Sequence, residues 1–185
     1  MNSPFAAAVM AGGRSERFGS DKAFHQIKGT LLWHHQLHKI EQLMPSEIII
    51  SANNEQHFQT NHKVVVDSEP DRGPLGALID CLKATKIERV LILAVDMPQM
   101  PISFLGELVC SGSGSVPVHA DGMSEPLAAV YPKEITELAE NQFLSGSLSM
   151  QKLVKKAISE GLLKARKITK PEIEFFANMN YPPET

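Results

Sequence analysis

The sequence predicts an α/β fold on a mostly parallel sheet, and three observations carry that expectation. Four short apolar runs, Phe5 to Met10, Glu47 to Ser51, Val64 to Val66 and Arg89 to Val95, have the length and composition of strands. Segments with helical spacing of apolar residues, or loops, separate them, which is the pattern of strands joined by crossover helices. A chain of 185 residues with 43% hydrophobic and 21% charged residues can build one ordinary globular core, so a single domain over 1–185 is expected.

The first run leads into AGGRSERFGSDK, Ala11 to Lys22, which reads as a phosphate cradle. Gly12 and Gly13 let backbone N–H groups approach an anion without side-chain obstruction. Arg14, Arg17 and Lys22 supply the charge a polyphosphate needs neutralised, so the expected ligand is a nucleoside triphosphate. A Walker loop needs GK followed by Ser or Thr, whereas Gly19 is followed by Ser20, Asp21 and Lys22. A dinucleotide fingerprint needs GxGxxG, and that spacing is absent between Gly12 and Gly19. A glycine-rich surface turn is the alternative, and the compression of so many glycines and cations behind one strand argues against it.

The next element is a helix burying Trp33, Leu37, Ile40 and Met44 at helical spacing. His34, His38 and Glu41 share one side of it, with His35 adjacent, and can in principle hold a transition metal. They flank the apolar stripe and no further ligand is indicated, so a solvated or boundary helix face is expected. The second and third strands end at Asn53 and Asp67, and a second helix begins near Pro74 with Leu75, Leu78, Ile79 and Leu82 on one face.

In an open α/β sheet the ligand lies beyond the carboxyl ends of the strands, which gives weight to polar residues directly after apolar runs. Asp96, after RVLILAV and before Met97 and Pro98, is the sharpest of these: its carboxylate suits a hard cation, expected to be magnesium, or else caps the following helix. Asn53 and Asp67 are nucleotide contacts or turn residues.

The pattern loosens beyond Asp96. A helix is expected over Pro101 to Cys110, a flexible turn at SGSGS, and strands at Val116 to His119 and Leu127 to Tyr131 around Asp121 and Gly122, giving an antiparallel element in the C-terminal half. Two helices follow, one with Ile135, Leu138 and Ala139, the other with Met150, Leu153, Val154, Ala157 and Ile158. A last strand or extended segment is expected near Phe175 to Met179. Lys152, Lys155 and Lys156 read as a charged outer helix face.

A formal net charge of -3 gives no electrostatic footprint for nucleic acid, and no apolar stretch approaches membrane-spanning length. Cys81 and Cys110 have no metal or redox spacing, and the N-terminus has no secretory pattern, so a soluble, cytoplasmic protein is expected.

The cradle resembles the AGGxSxRxGxDK signature of nucleotidyltransferases that activate sugars, polyols and pterins. The order of ISAN (Ile50 to Asn53), VVVD (Val64 to Asp67), GPLGAL (Gly73 to Leu78), VDMP (Val95 to Pro98), EPLAAVY (Glu125 to Tyr131) and FANMN (Phe176 to Asn180) is similar to the molybdenum cofactor guanylyltransferase family over nearly the whole chain. The resemblance implies a three-layer, Rossmann-like nucleotidyltransferase fold. It implies GTP contacts at Met10, Ala11, Gly12, Gly13, Lys22, Asn53, Asp67, Gly73, Pro74, Leu75 and Asp96. It further implies a magnesium ion on Asp96, catalytic roles for Arg17, Lys22 and Asp96, and a pterin side at Asn178 and Asn180. The implied partners are GTP, a molybdopterin-type cofactor, and cofactor-synthesis or acceptor proteins.

The implied reaction moves GMP from GTP to the pterin phosphate and releases pyrophosphate. Repulsion between the two anions is its main obstacle, so positioning and neutralisation are the catalyst. No general base is required, because a phosphate nucleophile is already ionised near neutral pH. A transferase using CTP, or one acting on a sugar or polyol phosphate, shares the same cradle. A non-catalytic nucleotide-binding module is the more distant alternative, and the joint presence of Arg17, Lys22 and Asp96 argues against it.

Overall fold

The computed structural model describes residues 3–12, 21–68 and 72–179. The elements run β1 (Ala6–Met10), β2 (Gln26–Ile27), β3 (Thr30–Leu31), α1 (Leu32–Gln42), β4 (Glu47–Ala52), β5 (Lys63–Val66), α2 (Gly73–Ala84) and β6 (Arg89–Ala94). They continue with α3 (Ile102–Cys110), β7 (Ser115–Val118), β8 (Ala128–Pro132), α4 (Ile135–Leu144), α5 (Met150–Ser159) and β9 (Lys164–Lys167). Short 3₁₀ turns occupy Lys22–Phe24 and Lys170–Phe176.

The main sheet has the order β5-β4-β1-β6-β8-β7-β9. β1 pairs in parallel with both β4 and β6, β4 with β5, and β7 with β9, while β8 runs antiparallel to β6 and β7. The mostly parallel sheet and the antiparallel element of the C-terminal half are therefore as expected. β4 and β6 lie on opposite sides of β1, so the crossovers leave β1's neighbourhood in opposite directions and open a crevice at its carboxyl end.

β1 is buried along its whole length. Ala7 and Val9 face a core shared with α1 and α3, and Ala6, Ala8 and Met10 face a second core shared with α2, α4 and α5. Small side chains on the central strand let Leu32 and Ile40 of α1 and Leu75, Leu78 and Leu82 of α2 reach full burial. Each such leucine or isoleucine contributes roughly 1.5–3 kcal/mol. Cys81 is buried, and neither it nor Cys110 forms a disulfide. No helix among the described residues is long and apolar enough to cross a membrane.

Two local expectations are corrected. Met44 is not part of the buried stripe: it is 85% exposed with φ 52°, because α1 stops at Gln42 and Pro45 excludes a helical conformation for the residue before it. Leu43 packs against the core in its place. The last strand is β9, not Phe175 to Met179. Thr169 and Glu172 form a capping box with Pro171 in the first turn, which starts a 3₁₀ turn and lays Phe175 and Phe176 on Phe104 at 5.8 and 5.5 Å. β9 is the mostly exposed segment KARK at the sheet edge, without apolar alternation to announce it.

Gly114 marks the tightest backbone approach in the C-terminal half. A Cβ there would lie 2.7 Å from Pro132 Cδ and 2.8 Å from both Leu162 O and Leu163 Cδ2. Gly114→Ala is expected to destabilise the fold by about 1–3 kcal/mol, since β7 cannot shift without losing its pairing to β9. Urea unfolding monitored by circular dichroism checks this, with a lowered midpoint at unchanged slope as the expected result.

Candidate active site

Four strand exits converge at the crevice, and backbone hydrogen bonds lock them together. Ala11 N–H and Gly12 N–H both donate to Ser51 C=O at 3.0 Å, Val95 N–H to Met10 C=O at 3.1 Å, and Asp67 N–H to Ala52 C=O at 2.9 Å. The loops after β1, β4, β5 and β6 thus leave from one point. Met10 and Ala11 are buried, and Gly12 is packed so closely that a Cβ would sit 3.3 Å from Ala52 C and 3.4 Å from Asp67 Oδ2. The first two amides of the cradle are committed to Ser51. Gly13, Arg14 and Arg17 lie outside the described residues.

Lys22 is set by the residue before it. Asp21 caps the 3₁₀ turn, accepting from Ala23 N–H at 3.0 Å through Oδ1 and from Gln56 Nε2 at 2.7 Å through Oδ2. Lys22 Nζ then reaches Asp96 Oδ2 at 3.1 Å across the crevice, with the two side chains 15% and 26% exposed. This contact joins residues 74 positions apart and places the cradle's lysine on the carboxylate at the end of β6.

Asp96 is not a helix cap: α3 begins at Ile102 with Pro101 in the capping position. Its turn is held by α1. The Gln36 side chain, fully buried, donates to Ala94 C=O at 3.0 Å and Met97 C=O at 2.9 Å, and Lys39 Nζ donates to Pro98 C=O at 2.6 Å. His35 Nε2 lies 3.3 Å from the same Pro98 oxygen. Burial pushes the Lys39 ammonium down to about 8 and lowers His35 as well.

Asn53 and Asp67 line the same crevice. Asn53 is a turn residue through Oδ1, which accepts from Glu55 N–H at 2.9 Å, while its backbone N–H donates to Gln56 Oε1 at 2.9 Å. Its side-chain amide nitrogen makes no described hydrogen bond. Asp67 has a buried Oδ1 without a partner among the described residues. Burial, and then the neighbouring Asp80 charge, push its carboxyl up to about 6 against the opposing Arg72. A carboxylate held in this way is costly to the fold unless a donor beyond the described residues meets it.

Gly73 and Pro74 are exposed at the start of α2, with Gly73 at φ 61°. Leu75 is fully buried, which leaves only its backbone for a ligand. Asn178 lies in the chain that follows the last 3₁₀ turn, and its neighbour Met179 donates its N–H to Asp96 C=O at 2.8 Å, tying this segment to the β6 exit. Asn180 is outside the described residues.

Gln56 was not among the residues singled out from the sequence, although its side chain ties Ala11 C=O (2.8 Å), Asp21 and the Asn53 amide into one unit. A glutamine in a loop carries no motif; only its position three residues after Asn53 connects it to the site. Of the histidines on α1, His38 is exposed, whereas His34 and His35 are partly buried. His38 pairs with Glu41 at 3.1 Å, Glu41 with His62 at 3.3 Å, and no group of three or more metal-ligating side chains occurs among the described residues. Lys152, Lys155 and Lys156 are exposed on the outer side of α5.

Comparison with known proteins agrees with this geometry. A family model described as the MobA-like NTP transferase domain matches residues 7–161. A probable molybdenum cofactor guanylyltransferase of Opitutus terrae is 35% identical over 189 residues, covering 97% of this chain and 92% of the relative. The molybdenum cofactor guanylyltransferase of Syntrophotalea carbinolica is 28% identical over 181 residues, covering 95% and 86%. The crystal structure of molybdopterin-guanine dinucleotide biosynthesis protein A from Archaeoglobus fulgidus superposes with a TM-score of 0.76 at 20% identity, covering 96% of this chain and 93% of that one. A sheet that brings the cradle's lysine onto the β6 carboxylate, in a chain so matched, belongs to the MobA-like NTP transferase family and is that of a nucleotidyltransferase.

Proposed function

We propose that this enzyme transfers GMP from GTP to the phosphate of a molybdenum-bearing pterin in molybdenum cofactor biosynthesis, releasing pyrophosphate. The observation that carries the reading is the Lys22–Asp96 contact at the shared exits of β1 and β6. In the absence of nucleotide each side chain neutralises the other. On binding a triphosphate, Lys22 would turn to its phosphate oxygens and leave the Asp96 carboxylate to hold a cation.

The residues present fit magnesium. Asp96 offers one hard oxygen donor beyond the one on Lys22, and Mg²⁺ is commonly held by one or two carboxylates with substrate phosphates and water completing its shell. When bound it would offset charge on the phosphates during transfer. The chain's own groups do the rest. Asp67 and the Asn53 amide would bind the nucleoside, Lys22 and the cradle would bind the triphosphate, and the turn held by Gln36 and Lys39 would keep Asp96 aimed. The acceptor phosphate oxygen forms a bond to the α-phosphorus as the bond to the pyrophosphate oxygen breaks opposite it. Incubating the enzyme with GTP, Mg²⁺ and the pterin, and following pyrophosphate and the dinucleotide by chromatography, tests this. Release with CTP or a sugar phosphate in place of these substrates would redirect the assignment, and absence of release with any acceptor would make the chain a binding module.

Lys22→Ala is expected to weaken GTP binding by about 1.5–3 kcal/mol, the range of a charge-assisted hydrogen bond, as read by calorimetry in Mg²⁺. Unchanged affinity would remove Lys22 from the site. Asp96→Asn keeps the shape and an oxygen but loses the charge; transfer is expected to fall by about 100-fold or more with GTP binding partly retained. A wild-type rate with wild-type magnesium dependence would move the cation to Asp67.

Asp67→Asn separates stability from function. The Asp67 carboxyl titrates at about 6 in the folded chain against 3.8 in its ordinary state, so its ionisation costs folding stability increasingly from pH 4 to pH 6 and throughout the range above. The asparagine variant is expected to melt at or above the wild-type temperature at pH 7.5, to lose that part of the pH dependence, and to bind GTP about tenfold more weakly. A variant that melts lower at pH 7.5 than at pH 4, relative to wild type, would show that the carboxylate stabilises the fold.

A further inference from the structure

The wall facing the nucleotide side of the crevice is built by the loop between β7 and β8, and a polar pair within it has no part in the chemistry above. His119 Nε2 and Glu125 Oε1 lie 2.7 Å apart, with side chains 23% and 22% exposed. Their place relative to Asp96 is set by one hydrogen bond, from Ala94 N–H to Leu127 C=O at 2.7 Å. Asp96 stands two residues after Ala94 and Glu125 two residues before Leu127. Because β8 runs antiparallel to β6, both carboxylates lie at the same end of adjacent strands, whose axes are about 4.8 Å apart.

The loop is braced independently of the pair. Ser124 donates to Gln151 Oε1 through its N–H at 3.0 Å and its hydroxyl at 2.7 Å, and Gln151 Nε2 donates back to Ser124 C=O at 2.7 Å. His119 N–H donates to Met123 C=O at 2.8 Å, and Glu125 N–H to Pro117 C=O at 2.9 Å. These bonds close the loop without help from either charged side chain. The His119 ring stands edge-on to Phe176 at 5.8 Å, three residues before the Met179 that is tied to Asp96. The pair therefore lies along the wall that leads to the reacting centre.

We propose that Glu125, steered by His119, reads the amino–amide edge of the pterin ring of the acceptor; this rests on the guanylyl-transfer reading above. A carboxylate only accepts hydrogen bonds. His119 holds Oε1, and Oε2 makes no hydrogen bond among the described residues. A 2-amino-4-oxopyrimidine ring presents neighbouring N–H donors on one edge, which a fixed, partly buried carboxylate matches. The same charge repels phosphate, so the acceptor enters with its ring toward Glu125 and its phosphate toward Lys22. Glu125 sets specificity by direct contact, and His119 is a positioning residue.

The test is E125Q in the full chain, with GTP, Mg²⁺ and the molybdenum-bearing pterin. Glutamine keeps an oxygen for His119 but turns the other end into a donor. The KM for the pterin is expected to rise about tenfold or more, with the loss in KM rather than kcat, and with GTP affinity and melting temperature as in wild type. H119Q, which frees Glu125 without removing it, raises the same KM by less. A wild-type pterin KM in E125Q overturns the inference and leaves guanylyl transfer standing. Loss of GTP affinity together with a lowered melting temperature assigns the pair to the fold and overturns it as well. Absence of transfer to any pterin by the wild-type enzyme overturns both readings together.

Discussion

A strand buried on both faces has no freedom to carry chemistry within its length, and β1 is such a strand. Its backbone is paired with β4 on one edge and β6 on the other, and its side chains are spent on two cores. Polar function can begin only where the pairing ends. That point is shared: Ser51 C=O takes two amides from the β1 exit, and Met10 C=O takes the first amide beyond β6. The site is therefore a property of the register. Sliding β1 by one residue would exchange the two cores and separate Gly12 from the β4 exit and Asp96 from Lys22 at once.

The polar groups that α1 buries follow from the same constraint. The β6 exit turns sharply at Asp96, Met97 and Pro98, and the carbonyls of that turn point into the protein, where they need donors. Gln36 and Lys39 supply them from a helix face that is otherwise apolar. Burying an ammonium is unfavourable, as the lowered Lys39 titration records, and Gln36 Oε1 has no described partner. A turn held by weaker means would save this cost, but Asp96 would then reorganise when charge arrives. Donors fixed in advance remove that reorganisation from the reaction, which is where preorganised electrostatics have their largest effect.

What was legible in the sequence tracks how local the determining physics is. Strands β1, β4 and β6 are legible because double burial demands continuous apolar runs, the largely exposed edge strand β5 because of its run of valines, and Asp96 because a carboxylate ending an apolar run is conspicuous. Pro74 and the leucine spacing of α2 were equally plain. β9 is not, since a short, mostly basic edge strand, KARK, is stabilised by its partner β7 and not by its own composition. Met44 was misplaced because Pro45 overrides a periodicity that extends one position too far. Gln56 and the His119–Glu125 pair were invisible for a different reason: each depends on long-range placement, and neither residue type is unusual in a loop. The motif is visible in the sequence, whereas the residues that arrange it have no signature of their own.

The antiparallel strand explains how a second substrate can be accommodated at the same end of the sheet. In the parallel half every loop at the crevice follows its strand, so the exits of β1, β4, β5 and β6 are consumed in building the nucleotide side. A further parallel strand beside β6 would add another exit of the same kind. β8 instead presents its entrance, and the β7 exit and β9 exit come with it, because β7 and β9 run opposite to β8. The C-terminal wall of the crevice is then a hairpin loop plus the segment that follows β9, anchored to the parallel half through Ala94–Leu127 and Asp96–Met179. Both anchors fall within two residues of Asp96 or on it. Asp96 is thereby the point from which the C-terminal wall of the crevice is hung, and the distance between the two halves of the crevice is set by the width of one strand pair.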